Sequence, residues 1–151
     1  MLDSPTPKKT AAKVFSLETH LPYLFRRAHF EADAIFPKIY GTGITSRQLA
    51  LLVAVSERPG ASQSDVAKAI GLDLNTCSDL VARTVGKGLL QRERSPIDAR
   101  TYCLCLTDEG SAVLNTGLAQ ASEYQEQVSS RLNPGEREQL RSLLRKLLGF
   151  G

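Results

Sequence analysis

Arg92, Arg94 and Arg100 crowd around a short turn, Ser95-Pro96-Ile97-Asp98-Ala99. Guanidinium groups gathered at a turn tip make a positive prong, and such a prong can enter a minor groove, where narrow A·T tracts focus negative potential onto arginine. Upstream, Asn75, Thr76, Ser78, Asp79, Ala82 and Arg83 fall on one side of a helix-like run, opposite Cys77, Leu80, Val81 and Thr84. Their side chains are mostly short and hydrogen-bonding, unlike the long Glu/Lys fringe of an ordinary solvated helix. Short polar groups suit close approach to base edges in a major groove. Taken without the arginines, the same residues fit a plain surface helix equally well.

A second cluster has different chemistry. His20, Tyr23, Arg27 and Phe30 recur at spacings of three and four, with Arg26 alongside. Rings at that spacing could flank an aromatic ligand while Arg26 or Arg27 pairs with its carboxylate. The competing account is local: Arg27 pairs with Glu31 and His29 with Asp33 at i,i+4, and His20 is a satisfied buried histidine.

The elements that must position the first cluster are legible one by one. Ser62 and Asp65 form a capping box ahead of a short helix that ends at Gly71. Asp73 or Asn75 caps the next helix, which runs to about Gly88, so a tight glycine-containing turn joins the two as a helix-turn-helix. Thr101 to Leu106 alternate, with Tyr102, Leu104 and Leu106 on one side and Thr101, Cys103 and Cys105 on the other, which predicts a half-buried strand. Leu89 to Arg94 is its partner. A reading helix beside a basic β-wing is a winged helix-turn-helix.

Here the chain resembles the MarR (multiple antibiotic resistance) regulators. The resemblance lies in Asp98-Ala99-Arg100, in Leu106-Thr107-Asp108-Glu109-Gly110, and in Gly88-Leu89-Leu90 with Arg92. These are similar to the family's wing signature, D-x-R followed by L-T-x-x-G, and the helix order on both sides also matches. The resemblance implies that Asp98 braces the wing and that Arg100 contacts DNA. It also implies a homodimer and an effector that is a small aromatic or phenolic acid, or an aryl-CoA thioester. Asp79 stands where family members often place a neutral or basic residue; it either accepts from a cytosine amino group or braces an arginine.

The rest of the chain fits one domain of 151 residues with net charge +3 and pI near 8.9, long enough for a real core. Residues 1–13 read as a flexible basic tail, 14–44 and 108–151 as helical dimerisation regions, and 45–107 as the winged helix-turn-helix. The fold class expected is mainly α with a small β-wing. A long helix pattern runs from Ser16 to about Tyr40, capped by Ser16 or Thr19, with Leu17, Leu21, Leu24, Ala28, Ile35 and Ile39 as its apolar stripe, for the core or a subunit contact. Thr45 and Gln48 form a capping box for a helix to about Glu57, whose inner face is Ile44, Leu49, Leu52, Val53 and Ser56. After the wing, Thr107 or Asp108 caps a helix with Val113, Leu114, Leu118, Ala121, Val128 and Leu132 as its apolar stripe, and Gly117 lowers its rigidity. Asn133-Pro134-Gly135-Glu136 starts the last helix, whose Leu140, Leu143, Leu144, Leu147 and Leu148 are too apolar for a monomer. Together with Leu17 and Leu21 they want a second copy of the chain.

Several classes are disfavoured. No apolar run approaches the roughly 20 residues that span a bilayer, and the N-terminus lacks the apolar core of a signal peptide, so a cytoplasmic protein without a membrane partner is expected. Three cysteines, Cys77, Cys103 and Cys105, without Cys-x-x-Cys or clustered histidine, argue for reduced thiols, no metal and no cofactor. Some relatives in the family place a reactive cysteine early in the first helix, where none occurs here, though a redox-sensing regulator stays open. His20 and His29 have carboxylates nearby, but no nucleophile motif, metal spacing or phosphate loop accompanies them; Gly41-Thr42-Gly43 is a turn. An enzyme is not expected. A protein-interaction module built on the leucine-rich ends is the remaining alternative.

Overall fold

The computed structural model describes residues 15–151, so the tail expected over 1–13 lies outside the described residues. A 3-10 turn at Leu17–Thr19 precedes helix α1 (Leu21–Tyr40), α2 (Ser46–Glu57), α3 (Gln63–Ile70) and α4 (Leu74–Gly86). Strands β1 (Leu90–Arg94) and β2 (Tyr102–Leu106) follow, then α5 (Asp108–Val128) and α6 (Pro134–Leu147). The architecture is mainly helical with one two-stranded antiparallel sheet, as expected.

Local capping chemistry explains most boundaries. Reciprocal capping boxes open α2 (Thr45 with Gln48), α3 (Ser62 with Asp65) and α6 (Asn133 with Glu136). Gly71 ends α3 at φ 70°, ψ 29°, a left-handed conformation that costs glycine little. The start of α1 departs from expectation. Neither Ser16 nor Thr19 caps it: Thr19 Oγ1 turns back to donate to Ser16 O at 2.9 Å, and His20 holds the N-cap position without a side-chain cap bond.

The core forms where α2, α3, α4, the sheet and the first half of α5 converge, around Leu51, Leu52, Val66, Val81, Leu90 and Leu104. Helix α2 is its centre, and this corrects the expected inner face. Ser56 is exposed, while Leu51 and Val55 are buried beside Leu52. A single stripe does not describe a helix that neighbours cover on more than one side.

Strand β2 also departs from simple alternation. Cys103 and Leu104 are adjacent yet both buried. The cause is a second pairing: Ser62 bridges to Cys103 and Leu104 N–H donates to Ala61 O at 3.3 Å. The chain entering α3 thus pairs along the free edge of β2, beside Cys103.

Helix α1 packs on α5 through rings. Phe36 stacks on Tyr40 at 4.3 Å between centroids, and Tyr124 meets each edge-on at 5.5 Å. Tyr124 donates to Ala32 O and Gln120 Nε2 to Ile39 O, each at 3.0 Å. Burial pushes the hydroxyls of Tyr40 and Tyr124 above their ordinary pKa. Of the α1 stripe, Leu17, Leu21, Leu24 and Ala28 are exposed and Ile35 and Ile39 half-buried, while Phe36, outside the stripe, is the residue of α1 that becomes fully buried. On the apolar stripe of α5, Leu114 is buried while Leu118 and Val128 are exposed. Gly117 is not a point of weakness: a Cβ there would stand 2.7 Å from Leu49 Cδ1, so the glycine permits close packing of α5 on α2. Helix α6 buries no residue and is tied to the end of α5 by Arg137 Nε, which donates to Ser129 O at 3.2 Å and Leu132 O at 3.1 Å.

Candidate nucleic-acid interface

Helix α4 is held by the core on one face only. Cys77, Leu80, Val81 and Thr84 are buried, and Thr84 Oγ1 is satisfied by Leu80 O at 2.7 Å. Asn75, Ser78, Asp79 and Arg83 are therefore exposed, and Thr76 is half-buried. The cap assigns work to two residues. Asp73 Oδ1 accepts from Thr76 N–H at 2.9 Å and Asp73 Oδ2 from Thr76 Oγ1 at 2.6 Å. Asp73 is thus the N-cap, Asn75 is left free, and the Thr76 hydroxyl is engaged. Those two bonds hold the Asp73 carboxyl below the usual carboxylate range. Asp79 and Arg83 share a groove with Asp33, Ser46 and Arg47.

Ser62, Gln63 and Ser64 stand at a helix start, where the sequence leads us to expect phosphate contacts, but Ser62 is engaged in the α3 cap, its Oγ donating to Asp65 Oδ2 at 2.7 Å. Gln63 and Ser64 follow it at the exposed start of α3, both half-buried. The Ser62 bonds depress the Asp65 pKa.

The wing is a braced loop. In register, Leu90 pairs with Leu106 and Arg94 with Tyr102. The Asp98 carboxylate accepts from Arg100 N–H at 2.9 Å, which fixes the backbone that launches Arg100. Arg94 behaves differently from Arg100. Its Nη1 donates to Ala99 O at 2.5 Å and its guanidinium lies 5.1 Å from the Tyr102 ring centroid. Arg92, Arg94 and Arg100 are all exposed on this hairpin, but Arg94 alone ties a guanidinium donor to the loop.

The five residues expected to hold an effector lie at the N-cap and along the N-terminal half of α1 and, among the described residues, line none of the clefts found. Arg27 Nη1 donates to Tyr23 Oη at 3.2 Å, and the Arg26 and Arg27 guanidiniums each lie 5.9 Å from the Tyr23 ring centroid. His20 meets Phe15 edge-on at 5.0 Å, and Phe30 is exposed. The local pairs also form: Arg27 with Glu31 at 3.7 Å and His29 with Asp33 at 3.2 Å. His20 is exposed in the single chain. A cleft of about 650 Å³ lies elsewhere, between Ile44, Leu49, Lys87, Leu89, Val113 and Gly117. Lys87 anchors its rim, donating to Gly43 O at 2.9 Å and to Gln48 Oε1 at 3.0 Å. A lysine beside a glycine carries no signal of such a bond in sequence, since its acceptors are some forty residues away.

The cysteines are free thiols. Desolvation, reinforced by bonds with Glu93 and Cys103, pushes Cys105 up to about 11, and burial also raises Cys77. Among the described residues no His/Cys/Asp/Glu group is arranged to hold a metal ion, and no helix is long and apolar enough to cross a membrane.

A profile of the MarR family matches residues 42–101, from just ahead of α2 through the wing loop. The HTH-type transcriptional repressor NicR of Pseudomonas putida is 30% identical over 135 residues, covering 89% of this chain and 85% of NicR. This chain belongs to the MarR family. Two solved structures of MarR-type architecture superpose over nearly their whole length. The PcaV transcriptional regulator of Streptomyces coelicolor, in complex with its natural ligand, gives a TM-score of 0.82 at 29% identity, covering 91% of this chain and 98% of PcaV. BpsR of Bordetella bronchiseptica, whose DNA binding is regulated by 6-hydroxynicotinic acid, gives 0.80 at 29%, covering 88% and 96%. The MarR-family chain described here is accordingly a transcription regulator with a winged helix-turn-helix.

Proposed function

We propose that this chain acts as a homodimeric repressor that a small aromatic acid, or an aryl-CoA thioester, releases from a pseudo-palindromic operator. The observation that carries the reading is the pairing of an exposed, short-polar face on α4 with a braced cationic wing. Asn75, Thr76, Ser78, Asp79 and Arg83 face base edges in the major groove, Arg100 enters the minor groove, and Gln63 and Ser64 approach phosphate at the start of α3 with Ser62 as their cap. Asp98 and Arg94 hold the wing in shape.

Two copies are favoured by what one copy leaves bare. Leu17, Leu21, Leu140, Leu143 and Leu147 are exposed, Leu144 is half-buried, and α6 buries nothing. Monomers seldom expose contiguous apolar surface beyond a few hundred Å². Pairing through these ends sets two α4 helices at one spacing, and an effector that favours another spacing releases DNA by population shift. His20, Tyr23, Arg26, Arg27 and Phe30 lie on an open face of α1, so a closed effector site is completed by the second copy. The 6-hydroxynicotinic acid that regulates DNA binding by BpsR supports the aromatic-acid class. The raised thiol pKa values weigh against cysteine-based sensing.

A salt-series gel shift on the gene's own upstream region tests the reading. Wild-type protein shifts the fragment as a dimer, Arg100→Ala weakens it, and an aromatic acid reverses it. Arg26→Ala or Arg27→Ala binds DNA normally but no longer responds to the acid. Absence of any shift, or an unchanged acid response in both variants, rejects the corresponding half of the proposal.

A further inference from the structure

Ile97 stands at the wing tip with 94% of its surface exposed. A lone exposed apolar residue is ordinary on a protein surface, but the loop beneath this one is not slack. Ser95 N–H donates to Thr101 O at 2.9 Å and Thr101 N–H to Asp98 O at 3.0 Å, so the loop is closed on itself. Ser95 Oγ accepts from Ile97 N–H at 3.2 Å and from Asp98 N–H at 3.4 Å. Arg94 closes the far side on Ala99 O.

Those bonds have a chemical consequence. The N–H groups of Ile97, Asp98 and Arg100 are all engaged by side-chain oxygens inside the loop, which leaves Ala99 N–H as the one tip donor without a partner in the loop. What it presents is a branched aliphatic side chain, a neighbouring Pro96, and the Arg100 guanidinium. The minor groove is a surface that accepts this combination. Its walls are deoxyribose, its floor carries acceptors, its potential attracts arginine, and isoleucine or proline can wedge partly open a base step there.

We propose that Ile97 is a specificity-determining contact of the wing: its side chain wedges against one minor-groove base step beside Arg100, so that the wing reads how easily that step deforms. Flexible pyrimidine–purine steps are the favoured partners. The inference rests on the DNA-binding reading above and adds a sequence preference at a position the major-groove helix does not touch.

The test uses full-length protein and a duplex selected by wild-type protein from a random-sequence pool. Binding is followed by anisotropy over a range of KCl, and 2-aminopurine is placed in turn at the steps flanking the major-groove site. Ile97→Ala weakens the selected duplex about tenfold, as expected for loss of a buried aliphatic contact, with an unchanged slope of log affinity against log salt. Arg100→Ala lowers that slope by about one. Ile97→Leu retains most of the affinity. One 2-aminopurine position brightens with wild type and not with Ile97→Ala. Equal affinity and equal sequence preference for wild type and Ile97→Ala overturn the inference alone, as does a loss in Ile97→Ala accompanied by a reduced salt slope. Failure of wild-type protein to retain any duplex overturns the DNA-binding reading and this inference with it.

Discussion

The carbonyl of Leu89 occupies the space that a side chain on Gly110 would need; even its carbon would lie 2.9 Å from an added Cβ. Thr107 fastens the same junction. Its N–H donates to Leu89 O at 3.2 Å and its Oγ1 to Gly88 O at 2.6 Å. The threonine and glycine of the L-T-x-x-G segment thus lock the exit of β2 and the start of α5 against the entry to β1.

Gly110→Ala is expected to lower the unfolding free energy by about 3 kcal/mol or more, because backbone has to move to relieve the overlap. A urea titration measures it. A loss below about 0.5 kcal/mol contradicts the packing described.

Gly117→Ala and Gly86→Ala should separate steric need from helix propensity. The neighbour of Gly117 is the end of a leucine side chain, Leu49 Cδ1, which can shift, so the expected loss is smaller, about 1 kcal/mol. Gly86 has nothing within 4 Å of an added Cβ and lies at the end of α4, so alanine there should stabilise by about 0.5 kcal/mol. The order Gly110→Ala, Gly117→Ala, wild type, Gly86→Ala in rising urea midpoint is the outcome to check.

Lys87→Met removes the ammonium that holds Gly43 O and Gln48 Oε1 while keeping a chain of similar length. Gln48 is buried but keeps its bond from Thr45 N–H, so the expected cost is about 1 kcal/mol. Amide exchange should quicken across the turn between α1 and α2. Unchanged protection there would mean that Lys87 does not restrain the turn.

The Asp73 carboxyl is depressed by the Thr76 side-chain and backbone bonds. For a group depressed on folding, the stabilisation is present above its unfolded pKa and is lost as pH falls through its folded pKa. Acid should therefore weaken the α4 cap below the usual carboxylate range. Asp73→Asn retains a competent cap but removes this contribution to the acid limb. Parallel urea midpoints for wild type and Asp73→Asn across that range are the result that refutes it.

Cys105 titrates near 11 because its thiolate is desolvated and faces Glu93 and Cys103. A thiol raised on folding adds no penalty below its unfolded pKa and costs stability as pH climbs from there toward the folded value. At pH 8 the thiol form therefore dominates. Labelling of folded protein by a disulfide reagent should be slow at pH 8 and accelerate steeply above pH 10. Rapid labelling of Cys105 at pH 8 would restore redox sensing as a candidate.

Sequence alone determined what rests on near neighbours. The capping boxes at Thr45, Ser62 and Asn133, the glycine stop at Gly71, the buried face of α4 and the hairpin all depend on residues within a turn or two of each other, where spacing dictates geometry. The wing motif was legible for the same reason. Tertiary structure decided what depends on distant partners: the burial of Cys103 under Ser62, the role of Gly117 against Leu49, the reach of Lys87 to Gly43 and Gln48, and the tying of α1 to α5 by Tyr124. It also divided the wing arginines, tying Arg94 alone to Ala99 and Tyr102, because a side chain's free donors depend on where the folded backbone places their acceptors.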